Sequence, residues 1–236
     1  MSRRKTRSSL AVLTVLGMLL ALLPLGAGVS AQAVSSDLII TGVVDGPLTG
    51  GVPKAIEVYV VNDIADLSAY GLGSANNGGG TDGEEFTFPA DSASAGEYLC
   101  VASEATGFNA FFGFAPDYTS GAASINGDDA IELFKDAAVV DVFGDINVDG
   151  NGEPWEYLDG WAARLAGTGP DGSTFTLANW EFSGANALDG ESTNATAASA
   201  FPIGCDGPPA PPVEIVITEI MNNPSAVSDG NGEWFE

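Results

Sequence analysis

The chain contains no histidine. Ser/His/Asp and Cys/His nucleophilic machinery fail on that count, as do the usual zinc sites, and a cysteine nucleophile would have no imidazole to activate it. Basic residues are nearly as scarce: there are seven, and Arg3, Arg4, Lys5 and Arg7 sit together at the N-terminus. A phosphate-cradling loop is also missing, because the Gly-rich stretch 71–83 is followed by neither a lysine nor a helix-like pattern. Carboxylate pairs of the glycosidase type remain available, but with 32 scattered acids any chosen pair is uninformative.

The basic cluster leads into an apolar run over residues 10–25 and then into small residues ending Ala31, Gln32, Ala33. This is the pattern of a secretory signal over residues 1–33, with cleavage after Ala33 and Ala31 as the second choice. A retained membrane anchor is the competing reading, opposed by Pro24 and by the small-residue cleavage pattern. No later segment is apolar and long enough to span a bilayer, so no membrane contact is expected after the signal is removed. Removal leaves Lys54, Lys135 and Arg164 against 32 carboxylates, a net charge of −29. Nucleic acids and anionic membranes are held largely through Lys and Arg on phosphate, so this segment is not expected to bind nucleic acid directly. An extracellular protein, a glycan or another surface is the expected partner, although the charge also serves simple solubility.

Two cysteines, Cys100 and Cys205, are carried towards an oxidising compartment, which makes a single disulfide the expected arrangement and leaves two separate thiols as the alternative. Between the signal and the Pro-rich stretch 206–212 (DGPPAPP), which reads as a stiff linker, residues 34–205 suffice for one substantial core. The hydrophobic period there is two: Ile56, Val58 and Val60 alternate with Glu57, Tyr59 and Val61, and similar runs occur at 97–102, 130–134 and 139–143. Gly/Asn/Asp clusters at 75–83, 126–129 and 149–152 punctuate them. Short strands with frequent turns predict an all-β, immunoglobulin-like antiparallel β-sandwich. One helical turn is expected within 104–114, its four phenylalanines capping the core.

Residues 215–236 (IVITEIMNNPSAVSDGNGEWFE) replay 38–59 (LIITGVVDGPLTGGVPKAIEVY), with Glu236 matching Glu57 and Glu219 standing where the first copy has Gly42. Repetition of this kind marks a modular architecture. A stretch this short buries too little surface to fold alone. Residues 213–236 are therefore expected to be the start of a second domain in a longer protein.

The order of motifs resembles that of a lamin tail domain, an immunoglobulin-like module found also in bacterial secreted proteins. It runs AIEVY (55–59), ADLSAYGL (65–72), FTFP (86–89), GEYLCV (96–101), NGDDAIELF (126–134) and VVDVFG (139–144), then the aromatic segment around Trp155, Trp161 and Arg164. The likeness covers most of 38–180, and the opening departs from the family pattern at Gly42. Independently of that, FTFP reads as an edge strand with a Pro stop, followed by a turn and a return strand. Such a scaffold leaves chemistry to whatever is attached. The layout of bacterial proteins of this kind implies an extracellular nuclease of the endonuclease/exonuclease/phosphatase class downstream, but that chemistry requires histidines and metal-binding carboxylates, so this segment is not its catalytic domain.

The sharpest local motif is 145–156 (DINVDGNGEPWE). Asp145, Asn147, Asp149 and Glu156 occupy the side-chain positions of a calcium loop, Gly150 its turn, and Asn151 the backbone-carbonyl position. Calcium is thus the one cofactor with a sequence candidate. Against it, residues 139–144 read as strand where an EF-hand needs an entering helix, and Pro154 interrupts the loop; an acidic connection between strands is the competing reading. Asn194 heads an N-glycosylation tripeptide that chance also explains. Trp155, Trp161 and Trp180 offer sugar-stacking rings, though core filling is the commoner use. Three functions remain: a secreted non-catalytic scaffold or interaction module, the leading segment of a nuclease, and a calcium-stabilised structural domain.

Overall fold

The computed structural model describes residues 36–207, together with Ile220–Met221 and Trp234–Phe235. The signal read at 1–33, most of the linker and the rest of 213–236 lie outside the described residues. Strands β1 (Leu38–Leu48) and β2 (Val52–Val60) form a long hairpin, since each supplies an alternating apolar face and the Gly-containing turn between them closes with Gly51 N donating to Leu48 O at 2.9 Å. Added to them are β3 (Tyr70–Ala75), β4 (Phe86–Thr87), β5 (Tyr98–Ala102), β6 (Tyr118–Thr119), β7 (Ala130–Lys135), β8 (Ala138–Phe143), β9 (Gly160–Arg164) and β10 (Trp180–Phe182). They make a six-stranded sheet, β10-β9-β1-β2-β5-β6, and a four-stranded sheet, β4-β3-β7-β8. All pairings are antiparallel except β5 with β6. The protein is an all-β sandwich.

Leu38, Ile40, Ile56, Val58 and Val60 from the large sheet meet Leu72, Ile131, Leu133 and Phe143 from the small one in a common core. The residues that alternate with them on β2, namely Ala55, Glu57 and Tyr59, face the other way, as period two requires. That outer face of the large sheet is not simply solvated. Helix α1 (Ala105–Phe112), capped by the Glu104 carboxylate on the amides of Thr106 and Gly107, lays Phe108 and Phe111 over it. Phe201 and Leu188 complete this second apolar layer with Val44, Ala55 and Trp161.

The hairpin expected of FTFP and the strand after it does not form. The strand that follows FTFP does not return along it: β4 pairs with β3 at the edge of the small sheet, whereas β5 crosses over and pairs with β2 in the large one. Its apolar residues Leu99 and Val101 thereby enter the common core from the side opposite β4. Gly42 also acquires a reason. A Cβ at that position would lie 2.3 Å from Cζ of Phe201, so the outer layer passes where a side chain would stand.

The two sheets are tied by a buried ionic network. Arg164 on β9 gives Nη2 to both oxygens of Asp141 on β8, at 2.8 and 2.9 Å, and Nε to the Ile40 carbonyl on β1 at 2.6 Å. Its Nη1 lies 3.3 Å from the Asp171 carboxylate, an ionic contact rather than a well-shaped hydrogen bond. Asp141 also accepts from the amides of Ile40 and Asp171. The guanidinium lies 4.4 Å over the Trp180 ring. A second pair, Lys54 with Asp45 at 2.7 Å, fastens the β1–β2 hairpin, and Lys54 donates onward to the Ile125 carbonyl.

Outside this body, β11 (Ile220–Met221) and β12 (Trp234–Phe235) pair antiparallel, Ile220 opposite Phe235 and Met221 opposite Trp234. With Glu219 aligned on Gly42 and Glu236 on Glu57, these correspond to Val43 opposite Ile56 and Val44 opposite Ala55 in the β1–β2 hairpin.

Candidate functional site

The distinctive chemistry lies on the outer face of the large sheet. A β-bulge between Ile40 and Gly42 places Thr41 and Gly42 in succession on this outer face. The Thr41 hydroxyl donates to Glu57 Oε1 at 2.9 Å. Glu57 is only 4% exposed. The other carboxylate oxygen accepts from the amide of Gly204 at 2.6 Å, and the Cys205 amide also donates to the carboxylate. Directly opposite Glu57 on β5 is Cys100, which is disulfide-bonded to Cys205 with a Cα–Cα separation of 5.9 Å. Glu57 and the two sulfurs lie within 4.8 Å of one another. Since both cysteines are oxidised, this trio is not a metal centre; it is a double fastening of the C-terminal strap, one covalent and one through a carboxylate.

Burial pushes the Glu57 carboxyl up to about 7, against the lowering effect of the Gly204 amide, the Thr41 hydroxyl and the Cys205 amide, and the nearby Asp206 carboxylate adds to the rise. A group whose folded value exceeds its unfolded one favours the folded state at low pH. The contribution is complete below the model value of 4.5 and is lost as pH rises through about 7. For Glu57 alone that difference amounts to about 3 kcal/mol. Burial likewise raises Asp45, Asp129 and Asp141. Thermal melts are therefore expected to move upward as pH falls from 8 to 5, and Glu57→Gln to flatten that slope. Parallel slopes for the two proteins would contradict this role of Glu57.

Beside Glu57 the outer layer stops, leaving an open groove of about 590 Å³ between the strap and the loop 165–169. Ile39, Tyr59, Val61 and Leu165 supply apolar walls, and Glu57 lies in the floor. The rings of Tyr59 and Tyr98 meet at 4.8 Å with an interplanar angle of 50°. Glu181 on β10 stands exposed at the rim. Arg164 also lines the groove, but its guanidinium is engaged with Asp141 and Asp171.

The calcium-loop residues behave differently. Asp145 Oδ1 accepts from the Asn147 amide at 2.9 Å, Asp149 Oδ1 from the Asn151 amide at 3.0 Å, and Glu156 Oε2 from the Gly152 amide at 3.1 Å. Each carboxylate closes a local turn of its own. Asp145, Asp149 and Glu156 are not among the described groups whose ligand atoms come within 4.8 Å of one another. The segment follows strand β8 rather than a helix. Asn194, the glycosylation candidate, uses both ends of its amide on the backbone of Phe201, at 2.8 and 2.9 Å. Trp155, Trp161 and Trp180 are buried, and Trp161 Nε1 donates to the Ser199 carbonyl at 2.8 Å.

Sequence reasoning singled out Cys100 and Cys205 but passed over Glu57 as a site residue, along with Tyr59 and Tyr98. The available signal was a carboxylate inside an otherwise apolar alternating strand, repeated at Glu236. A scan against protein-family models found no match, nor did comparison with the curated proteins or the solved structures. The lamin-tail resemblance rests on motif order alone.

Proposed function

We propose that this chain is a secreted, non-catalytic interaction module belonging to a multi-module extracellular protein, with the outer face of its large sheet as the contact surface. The observation that carries this reading is the division of labour among polar groups. The buried acids Asp45, Asp129 and Asp141 are engaged in holding backbone and ion pairs, while the half-buried Ile39, Thr41, Tyr59 and Tyr98 line an open groove beside Glu57. With no histidine and few cations, acyl, phosphoryl and zinc-dependent chemistry lack their usual groups. The matching register of the β11–β12 and β1–β2 pairs supports the modular part of the reading.

The test is expression of the full chain with its leader. The protein is expected in the culture medium and, once purified, is expected to leave nucleic acids, phosphate esters and glycans intact. Turnover that copurifies with the chain would overturn the non-catalytic reading, and retention inside the cell would overturn secretion.

A further inference from the structure

We propose that the groove on the outer face receives lysine or arginine side chains from an extended basic peptide segment of a partner protein. This deepens the interaction-module reading and rests on it.

The shape of the site matches an amphipathic cation. Such a side chain has an apolar stem and a charged head. Val61 and Leu165, exposed at 39% and 40%, flank the entrance as apolar walls for the stem. Deeper in, the paired rings of Tyr59 and Tyr98 and the Glu57 carboxylate form a surface suited to the head, through cation–π and ionic contact. The three donors to Glu57 leave one of its roughly four lone-pair positions open. Glu181 at the rim adds a second carboxylate, and the local cation, Arg164, is tied to its own two acids.

Charge selects among ligand classes. A mature charge of −29 repels polyanions and draws cations towards the protein. A neutral sugar chain draws nothing from that field, and two of the groove's hydroxyls are already committed, Thr41 to Glu57 and Thr168 to the Leu165 carbonyl at 2.7 Å. The groups facing Glu57 are the Thr41 hydroxyl on β1, the phenols of Tyr59 on β2 and Tyr98 on β5, the Asp206 carboxylate of the strap and, further out, Glu181 on β10. Burial and the Glu57 charge raise the Tyr98 phenol, so it remains protonated in the neutral range. Lys54 on β2 is paired with Asp45, and Arg164 on β9 with Asp141 and Asp171, so neither cation offsets Glu57. An incoming ammonium or guanidinium therefore lowers the Glu57 carboxyl from about 7 and expels its proton.

Calorimetry of the full chain with acetylated pentalysine tests this, using paired buffers of different ionisation heat at pH 8 and pH 6. Binding is expected to release a proton near neutrality and to weaken about tenfold from pH 8 to pH 6. Tyr59→Leu/Glu181→Gln should lose about tenfold at pH 8. Glu153→Gln, an exposed acid in the loop after β8, should bind like the wild type. Glu57→Gln should bind more weakly at pH 8 and lose the pH dependence. Equal binding by the groove variant and by Glu153→Gln would show pentalysine acting as a mere counterion and overturn the proposal. Absence of binding would overturn it too, as would groove-dependent binding of cellopentaose in place of pentalysine. Each of those outcomes leaves the module reading to its own test, which only turnover or failure of secretion defeats.

Discussion

Arg164→Met is expected to cost about 3–5 kcal/mol of folding stability at pH 7, among the largest effects available to a single substitution in this protein. The side chains of Arg164 and Asp141 are 1% and 0% exposed, and that of Asp171 is 4% exposed. Removing the guanidinium leaves two carboxylates in the interior, Asp141 with the amides of Ile40 and Asp171 and Asp171 with the side-chain amide of Asn179 as remaining partners. It also strips the Trp180 ring of its cation. Methionine fills much of the volume, so the loss reports unpaired charge rather than a cavity. Urea denaturation at pH 7 and pH 4.5 separates the two: burial already raises Asp141, so at the lower pH its protonation should recover part of the loss. Asp141→Asn added to Arg164→Met should recover part of it at pH 7 as well. A loss below about 1 kcal/mol, the level of an exposed pair, would show that the network does not join the sheets as described.

Cys100→Ala/Cys205→Ala is expected to be comparably damaging. The bridge spans 105 residues, and a loop of that size is worth about 4–5 kcal/mol in the chain-entropy treatment. The structure also indicates where the loss begins. Cys205 ends the strap whose Phe201 covers Gly42 and whose Gly204 packs on the Tyr98 ring. With the bridge gone, Glu57 alone holds residues 204 and 205. Amide exchange in 188–205 should therefore accelerate before that in β1, β2 or β5, and the groove wall formed by the strap should open with it. Simultaneous acceleration across the whole sandwich would mean that the strap is not a separate unit of stability.

Much of the architecture is legible along the chain. Alternation in β2, β7 and β8 follows from Ile, Val and Leu at every second position, and the Gly/Asn/Asp clusters mark the turns between strands. The helical turn at α1 is readable from its phenylalanines, and their use as a core cap follows from the same period. What local pattern does not convey is partner choice between strands. The FTFP segment and the GEYLCV segment look like two arms of one hairpin, and the chain instead assigns them to different sheets. Both arms carry the alternation that either pairing would need, so only the competition between two complete cores decides.

The candidate site was less legible for a related reason. A calcium loop is written in contiguous spacing, which made Asp145, Asn147, Asp149, Asn151 and Glu156 conspicuous, yet those carboxylates close local turns. The groove is assembled from β1, β2, β5, β9, β10, the loop 165–169 and the strap, whose residues have no shared motif.

The sequence by itself determined the lack of imidazole groups, the strongly negative charge and the two-residue period that calls for strands, because those depend only on which side chains exist and in what order they recur. The tertiary structure alone decided that Glu57 would be buried beside a disulfide and that Arg164 would be surrounded by acids. It also decided that Tyr59 and Tyr98 would share a groove with Glu181. Those outcomes depend on desolvation and on distances between residues far apart in the chain, and both are properties of the packed sheets rather than of any one segment.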